Sequence, residues 1–536
     1  MSSISLPGIS DDEQRILDYL LAKLDAKTPR NVLRSSYYDG KHAIRQMGDI
    51  IPPQYYRLGI VLGWSAKAVD ILARRCNLDS FVWPDGELAS IGYSEIWDGN
   101  HLGSEIASAR TSSLLHGVAF LINTVGDTEA GEPPALIHVK DATCATGEWN
   151  PRRRSLDSLL SITRRDQLGR VTGLVLYLDG VNIIADYDGY SWFVDRVEHK
   201  WGVPAEPLVY KPRAGRPFGS SRISRPVMSL HDQALRTVIR MEGHADVYSY
   251  PEFWMLGADE SIFRNADGSQ KAIWQTMLGR IKAIPDDEDA QVPRADVKQF
   301  AASSPQPHID QLKQQAQSFS GETSIPLTSL GVSDMSNPSS ADSYIASRED
   351  LIAEAEGATD DWAPALRRSL TRALAMANDL DQVPQEWASI GPKWRSPLYL
   401  SRAAQADAGM KQLTAIPWLA DTDVGLELLG LDEQQIQRAQ AAKRRMGGSA
   451  ALRAITDAAA AQASAPATDA AAAPDDAAAA AALKAKFDAL GAAIRSGVEP
   501  ESAARLLGLE GLSFTGAVPV SLRVPEAAAQ SLEQTP

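Results

Sequence analysis

Ile16, Leu17, Leu20, Leu21 and Leu24 recur at three- and four-residue steps, so the spacing predicts an amphipathic helix over 11–27. Ser10 stands as its N-cap, and Glu13 three residues on completes a capping box. Two more helices are predicted over 56–75 and 104–115. From about 114 to 211 the period shortens. Val118–Asn123, Ala135–Val139, Leu160–Thr163, Val175–Leu178 and Val181–Ile184 are short runs carrying β-branched and aromatic residues. The pairs Asp179-Gly180 and Asp188-Gly189 lie between such runs, and Asp-Gly suits the positive φ of tight hairpin turns. The pattern predicts an antiparallel sheet with helices packed before it.

Helical spacing returns over 226–247. Val227, Leu230, Ala234, Leu235, Val238 and Ile239 make one face, and Asp232, Arg236, Arg240 and His244 lie four apart on another. An Asp232–Arg236 pair there is worth only about 0.2–0.5 kcal/mol. A piece of different character, 248–302, follows. It opens with Tyr248, Tyr250, Phe253 and Trp254, carries an Asp267-Gly268 turn and a short helix predicted over 271–283, and then the acidic loop Pro285 to Asp289. The next helix, 305–320, has Ile309, Leu312, Ala316 and Phe319 on its apolar side and Gln311, Gln314, Gln315 and Gln317 on its polar side. After a polar loop at 331–340, Ser339 and Asp342 form a capping box for a long helix over 340–379. Pro364 is expected to kink or divide it, with Thr359 or Asp360 capping the second part. A helical region over 399–446 comes next. Between 458 and 482, 17 of 25 residues are alanine, interrupted by Pro466 and Pro474, so no core can be built there. A short helix over 483–496 and the segment 501–507 precede the C-terminus.

Charge narrows the function. The chain of 536 residues carries 68 acidic and 53 basic residues, a formal charge of −15. A protein gripping nucleic acid through a dense phosphate-neutralising surface is usually strongly basic. Two cysteines, Cys76 and Cys144, exclude a disulfide framework or a cysteine-rich zinc module. The N-terminus has no basic and apolar pattern of a signal peptide, and no run of about 20 apolar residues suggests a membrane span. These features lead us to expect assembly in a reducing cytoplasm.

Several chemistries are missing. The pair Gly40-Lys41 is followed by His42, with Ser at position 35, so there is no phosphate-cradling P-loop. Neither a His-Glu-x-x-His zinc motif nor a Gly-x-Ser-x-Gly elbow occurs. His116 and His138 lie in apolar surroundings and read as sheet-core or edge histidines. Asp286, with Asp296 and Lys298, has the spacing of a Mg²⁺-dependent nuclease, in which two carboxylates hold the metal and a lysine helps activate water. An acidic surface loop leading into a strand explains the same residues better, because a nuclease needs a basic groove. Arg152–Arg154 and Arg164-Arg165 read as solvated hairpin edges. The aromatic group 248–254 suits a core or subunit interface better than a base-stacking platform.

From 205 to 380 the order of elements resembles the portal (head-to-tail connector) family of long-tailed bacteriophages. A helix follows Pro212–Arg225 and leads into Tyr250-Pro-Glu-Phe-Trp254. After the insert come Pro307–Leu312, Thr323–Gly331, and Asn337-Pro-Ser-Ser-Ala-Asp342 with Arg348-Glu349 on the long helix. Tyr37-Tyr-Asp-Gly40 and Ile51-Pro-Pro53 are similar to the start of that family, and the likeness spans most of 10–450. No single motif carries it; the order of weak ones does.

The resemblance implies an α+β, non-enzymatic subunit needing no cofactor or metal. It implies a ring, usually of twelve copies, at one vertex of the virion capsid, assembled in the host cytoplasm. Double-stranded DNA would pass through the ring, which would dock the terminase motor and then the head-tail adaptor, contact major capsid and scaffolding proteins, and involve no membrane. Carried onto this chain, the wing is 1–224 with part of 342–400. The stem helices are 225–247 and 303–330, the clip is 248–302, the tunnel loop 331–341 and the crown 401–450. The tail, 451–536, is a departure from the pattern. Channel-facing candidates are Arg236, Arg240, Lys313, Ser333, Asp334, Asn337 and Ser339; for both arginines, salt bridges between subunits are an equal reading. Docking candidates are Tyr250, Phe253, Trp254, Asp286, Asp287 and Glu288. Another capsid-associated head-completion protein is the remaining alternative, but such adaptors are usually far shorter. Twelve copies at −15 each total −180, which turns the acidity into an argument for loose, sliding contact with DNA.

Overall fold

In the computed structural model, the described residues are 4–42, 59–248, 253–256, 264–269, 281–284, 296–299, 303–332, 348–399, 402–432, 434–446, 486–487, 489–491, 493 and 500–509. Helix α1, Asp11–Tyr38, begins at the expected capping box: Ser10 Oγ accepts from the Glu13 amide, and the Glu13 carboxylate accepts from the Ser10 amide at 2.7 Å. The helix does not stop at 27. Pro29 forfeits one intrahelical hydrogen bond, but later turns are anchored elsewhere. Asn31 Nδ2 donates to the Ala142 carbonyl at 2.8 Å, Arg34 to the His116 carbonyl at 3.1 Å, and Tyr37 to Asp232. Helix α2 is shorter than expected, Trp64–Ala73, because 59–63 is not helical. Strand β1 (Leu78–Val82), helix α3 (Tyr93–Gly99) and helix α4 (Leu102–His116) follow.

The sheet region is antiparallel, as the alternating runs predict. It comprises β2 (Val118–Val125), β3 (Ala135–Asp141), β4 (Ala145–Asn150), β5 (Ser155–Arg165), β6 (Val171–Leu178), β7 (Val181–Tyr187), β8 (Trp192–Glu198) and β9 (Ala205–Val209). Five strands form one sheet in the order β4-β5-β6-β7-β8, and three form another, β3-β2-β9. Both Asp-Gly pairs make the expected hairpins, with Gly180 at φ +81° and Gly189 at φ +106°.

Side-chain alternation explains the layering. Leu160, Ile162, Leu174, Leu176 and Ile183 face the α1 leucines, while Leu159, Val175 and Tyr177 meet Phe120 and Ile122 of β2. The other face of β2, Ala119 and Leu121, packs into the helical core. Both faces of β2 are therefore covered, and every residue from Val118 to Asn123 is buried. That is why this run reads as continuously apolar rather than alternating.

Helix α5 is Arg225–Tyr248. Beyond it, β10 (Phe253–Leu256), β11 (Ile281–Ile284) and β12 (Asp296–Gln299) make a small sheet with β10 central, parallel to β11 and antiparallel to β12. Residues 281–283 were expected in a helix; they are strand, because Ile281–Ile284 pair in register with Phe253–Leu256. Residues 271–280 lie outside the described residues. Helix α6 is Gln306–Thr323, and helix α7 is Glu349–Ala377. Strand β13 (Gly391–Trp394) pairs with β1.

The division expected at Pro364 does not occur, and α7 runs through it as one helix. Trp362, Ala365 and Leu366 are buried around the proline, and Trp362 Nε1 donates to Ser113 Oγ at 3.2 Å. Packing thus holds a turn that lacks one backbone bond. Residues 340–347, including Asp342, lie outside the described residues.

Contacts divide the chain at 398/399. The second unit contains α8 (Arg402–Ala415), α9 (Asp423–Leu428) and α10 (434–446). Thr422 caps α9, and Gly409 of α8 lies so close that a Cβ there would sit 2.3 Å from the Leu428 carbonyl oxygen. Near the C-terminus, Leu490 and Ala493 pack on Ala503 and Ala504. The alanine-rich stretch 458–482 lies outside the described residues. Among the described residues, no helix is long and apolar enough to cross a membrane.

Candidate functional site

The two helices that flank the insert, α5 and α6, run antiparallel. Their contacts step in opposite directions: Ser224 Oγ donates to Glu322, Gln315 Nε2 to Thr237 Oγ1 at 3.0 Å, and the His244 and His308 rings sit edge to face at 5.5 Å. Ala234, Leu235 and Ile239 on α5 and Ala316 and Phe319 on α6 are buried. Phe319 also meets Trp64 of α2 at 5.3 Å between ring centroids. Gln315 therefore does not belong to the polar side where it was expected. It lies three residues after Leu312 and four before Phe319, on the apolar stripe, and is 8 % exposed. Gln311, Gln314 and Gln317 are exposed.

The base of this pair is clamped by a buried charge. Arg222, just before α5 and 6 % exposed, pairs with Glu354 of α7 at 2.6 Å. Its Nε donates to the Ala68 carbonyl of α2, one terminal nitrogen to the Thr323 carbonyl at the end of α6 at 2.5 Å, and the other to Tyr210 Oη at 3.2 Å. Glu354 also accepts from Tyr210 Oη at 2.5 Å and from Lys211. Burial pushes the Glu354 carboxyl up, but Arg222, Lys211 and Tyr210 outweigh it and hold the group below the usual carboxylate range. One guanidinium thus ties α2, both flanking helices, α7 and the end of β9 together.

A second polar cluster holds α5 to the N-terminal helices. Tyr37 Oη donates to Asp232 at 3.0 and 2.9 Å, His42 stacks on Tyr37 at 3.9 Å, and His42 Nε2 lies 3.4 Å from Asp232. Ser65 Oγ shares a hydrogen bond with His231 Nδ1 at 2.8 Å. Burial pushes the His231 imidazole down from 6.5 to about 4, against the pull of Asp232 and with a push from His42. An unfolded chain takes up that proton near pH 6.5, so acid favours unfolding between about pH 6.5 and 4. Burial likewise lowers His116, His138 and His199. Stability measured by urea unfolding is expected to fall as pH drops from 7 to 4 and to fall less steeply in His231→Gln, by at most about 3 kcal/mol over the window. Parallel curves for the two proteins would refute this role.

The sequence-predicted residues are placed unevenly. Arg236 and Arg240 are half-buried on α5, and Lys313 is exposed on α6. Ser333, Asp334, Asn337 and Ser339, and Tyr250, Asp286, Asp287 and Glu288, lie outside the described residues. Phe253 and Trp254 are in β10, and the register sets Trp254 opposite Lys298 and Leu256 opposite Asp296. Among the described residues, no group of three or more His, Cys, Asp or Glu could hold a metal ion. His138 lies on edge strand β3, sharing a hydrogen bond with Thr124, whereas His116 ends α4 rather than sitting in a sheet. Arg164 pairs with Asp186 at 2.5 Å on the hairpin surface, as a solvated edge would. The Arg222–Glu354 clamp was not foreseen. Its legible signal is Glu354 lying among Leu351, Ala355, Ala358 and Trp362, a lone acid on the apolar stripe of α7.

Known proteins resemble this chain over most of its length. The portal protein of Mycobacterium phage L5 is 23% identical over 416 residues, covering 76% of this chain and 84% of its own. That of Mycobacterium phage D29 is 24% identical over 416 residues, covering 76% and 82%. A solved structure described as the neck of a native GTA particle computed with C12 symmetry aligns at 15% identity and TM-score 0.35, covering 69% of this chain and 89% of that one. The family model for phage portal proteins of the SPP1 Gp6-like type matches residues 17–446, most of the chain, and the protein belongs to that family.

Proposed function

We propose that copies of this chain close into a ring, of twelve subunits, at one vertex of a tailed-phage capsid, and that double-stranded DNA passes through it during packaging and ejection. The chain acts in the virion as a conduit, with no catalytic step. The observation that carries this reading is the antiparallel α5–α6 pair, joined by an insert with its own three-stranded sheet and clamped at its base by Arg222. Such a pair suits a stem that carries a docking module away from the body of a subunit.

In this reading 1–224 with part of 342–400 is the wing, 225–247 and 303–330 are the stem, 248–302 is the clip, 331–341 is the tunnel loop and 401–450 is the crown. The clip docks the terminase and later the head-tail adaptor through Tyr250, Phe253, Trp254, Asp286, Asp287 and Glu288. The bore is faced by Arg236, Arg240, Lys313, Ser333, Asp334, Asn337 and Ser339. The exposed Gln311, Gln314 and Gln317 give α6 a face that is polar but carries little positive charge. Each lysine or arginine contact to phosphate adds affinity, so a bore with few of them lets DNA slide.

Electron microscopy of the purified full-length protein tests the reading. Closed rings with a central channel are expected, with twelvefold symmetry in averaged views. Monomers only, across salt and protein concentrations, would sink it.

A further inference from the structure

A cleft of about 320 Å³ opens between α1, the end of α4, β2 and the loop 215–220. Lys27, Arg30 and Arg34 reach it from one face of α1, and Arg216 from the loop. No Asp or Glu lines it. The nearest acids are engaged: Glu148 accepts from Lys23 and Tyr19, and Asp141 Oδ1 accepts from Thr143 and Cys144. Several other arginines of this unit are neutralised, as in Arg196 with Glu13 and Arg368 and Arg372 with Glu206. Among the described residues, Lys27, Arg30, Arg34 and Arg216 have no carboxylate partner. Like charges gathered this closely repel, most at the half-buried Lys27 and Arg34, and a bound anion would offset that repulsion.

The wall of the cleft holds buried polar atoms with no hydrogen-bond partner among the described residues. Arg34 Nε and His116 Nδ1 are buried without hydrogen-bond partners, and His116 is 7 % exposed. Burial, with Arg30 and Arg216 nearby, pushes Arg34 down to about 10. The wall is built rather than incidental. Gly219 sits at φ +64°, and a Cβ there would lie 2.1 Å from the Tyr210 carbonyl oxygen, so the loop is pinned against the end of β9. Lys27 Nζ lies 5.2 Å from the centroid of the Phe218 ring, which steadies it at the rim.

We propose that this cleft is a phosphate-binding site in the wing, with Arg30, Arg34, Arg216 and Lys27 as its ligands. A carboxylate would offset one of four positive charges. A phosphate group offers more charge and several oxygens to guanidinium forks. The volume admits a phosphate group with a small substituent but not a duplex, so DNA could present only a backbone phosphate at the mouth. The phosphate therefore comes either from a free phosphate or from the DNA backbone.

Calorimetric titration of the full-length protein with pyrophosphate at fixed ionic strength tests the site. Saturable binding with one site per chain is expected. Arg30→Gln and Arg216→Gln, both at exposed positions, should each weaken it about fivefold or more, and together much further. Arg152→Gln with Arg154→Gln, on the exposed β4–β5 turn, should leave it unchanged. If a short DNA duplex displaces pyrophosphate, the backbone is the source; if it does not, free phosphate is. Absence of saturable binding, binding that survives the double substitution, or tighter occupancy by polyglutamate than by pyrophosphate would overturn the proposal.

Discussion

Arg222→Ala is expected to lower the unfolding free energy by about 3–5 kcal/mol and to reduce the yield of closed rings. The magnitude follows from what is left behind. Arg222 is 6 % exposed, and the Glu354 side chain beside it is 11 % exposed. Truncating the arginine leaves the half-buried Glu354 carboxylate with only Tyr210 and Lys211 as donors. It also removes the donors to the Ala68 and Thr323 carbonyls, the links from this point to α2 and α6. Replacing Arg222 by Met together with Glu354 by Leu should recover part of the loss, because no unpaired charge remains. Recovery should be incomplete, since those carbonyls stay unsatisfied. Acid should act in the same direction. The Glu354 carboxyl is held below its ordinary range, so its contribution is present above the unfolded value and is lost as pH falls through the folded one. Urea unfolding of the three proteins, with ring counts by microscopy, checks this. A single-substitution loss under about 1 kcal/mol would mean that the clamp does not hold α5 and α6 to the body of the subunit.

The elements that were legible in the sequence are those whose signal is local. The α1 capping box, the two Asp-Gly hairpins and the apolar face of α5 all follow from residues within a turn or two of one another. Elements whose cause is distant were not legible. Strand β1 exists because it pairs with β13, more than 300 residues along the chain. Strand β8 is an edge strand rich in exposed charge, and β9 contains Pro207, which an edge position tolerates because its nitrogen need not donate to the ladder. Pro29 and Pro364 both sit inside helices, since tertiary anchors outweigh one missing backbone bond. The same contrast holds for the functional residues. The α5–α6 pair was visible from its periodicity, but Gln315 was assigned by residue type instead of by its place on the stripe. The basic cleft escaped notice because Arg216 and the α1 cations are nearly 200 residues apart in the chain.

Reversing the acidic loop of the insert, Asp286→Lys with Asp287→Lys and Glu288→Lys, is expected to cut DNA packaging to about a tenth or less while leaving rings intact. Asp286 to Asp289 are four consecutive carboxylates, so twelve copies would bring 48 negative charges to one end of the proposed ring. A partner that docks there meets a field of one sign, and complementary charge speeds encounter and suppresses wrong orientations. The effect decays over a Debye length of about 8 Å at physiological salt, so it depends on where the charges sit and not on net charge alone. That gives the control. Asp85, Glu87 and Glu129 are exposed acids outside the insert, and replacing all three by Lys shifts the charge equally. This second variant should package normally. Both proteins should unfold within about 0.5 kcal/mol of the parent, as expected of surface substitutions. Binding of the purified packaging motor to the ring should weaken with rising salt in the parent and be nearly absent in the loop variant. Equal packaging by the two variants would remove the insert from the docking surface and leave the loop as solvated surface only.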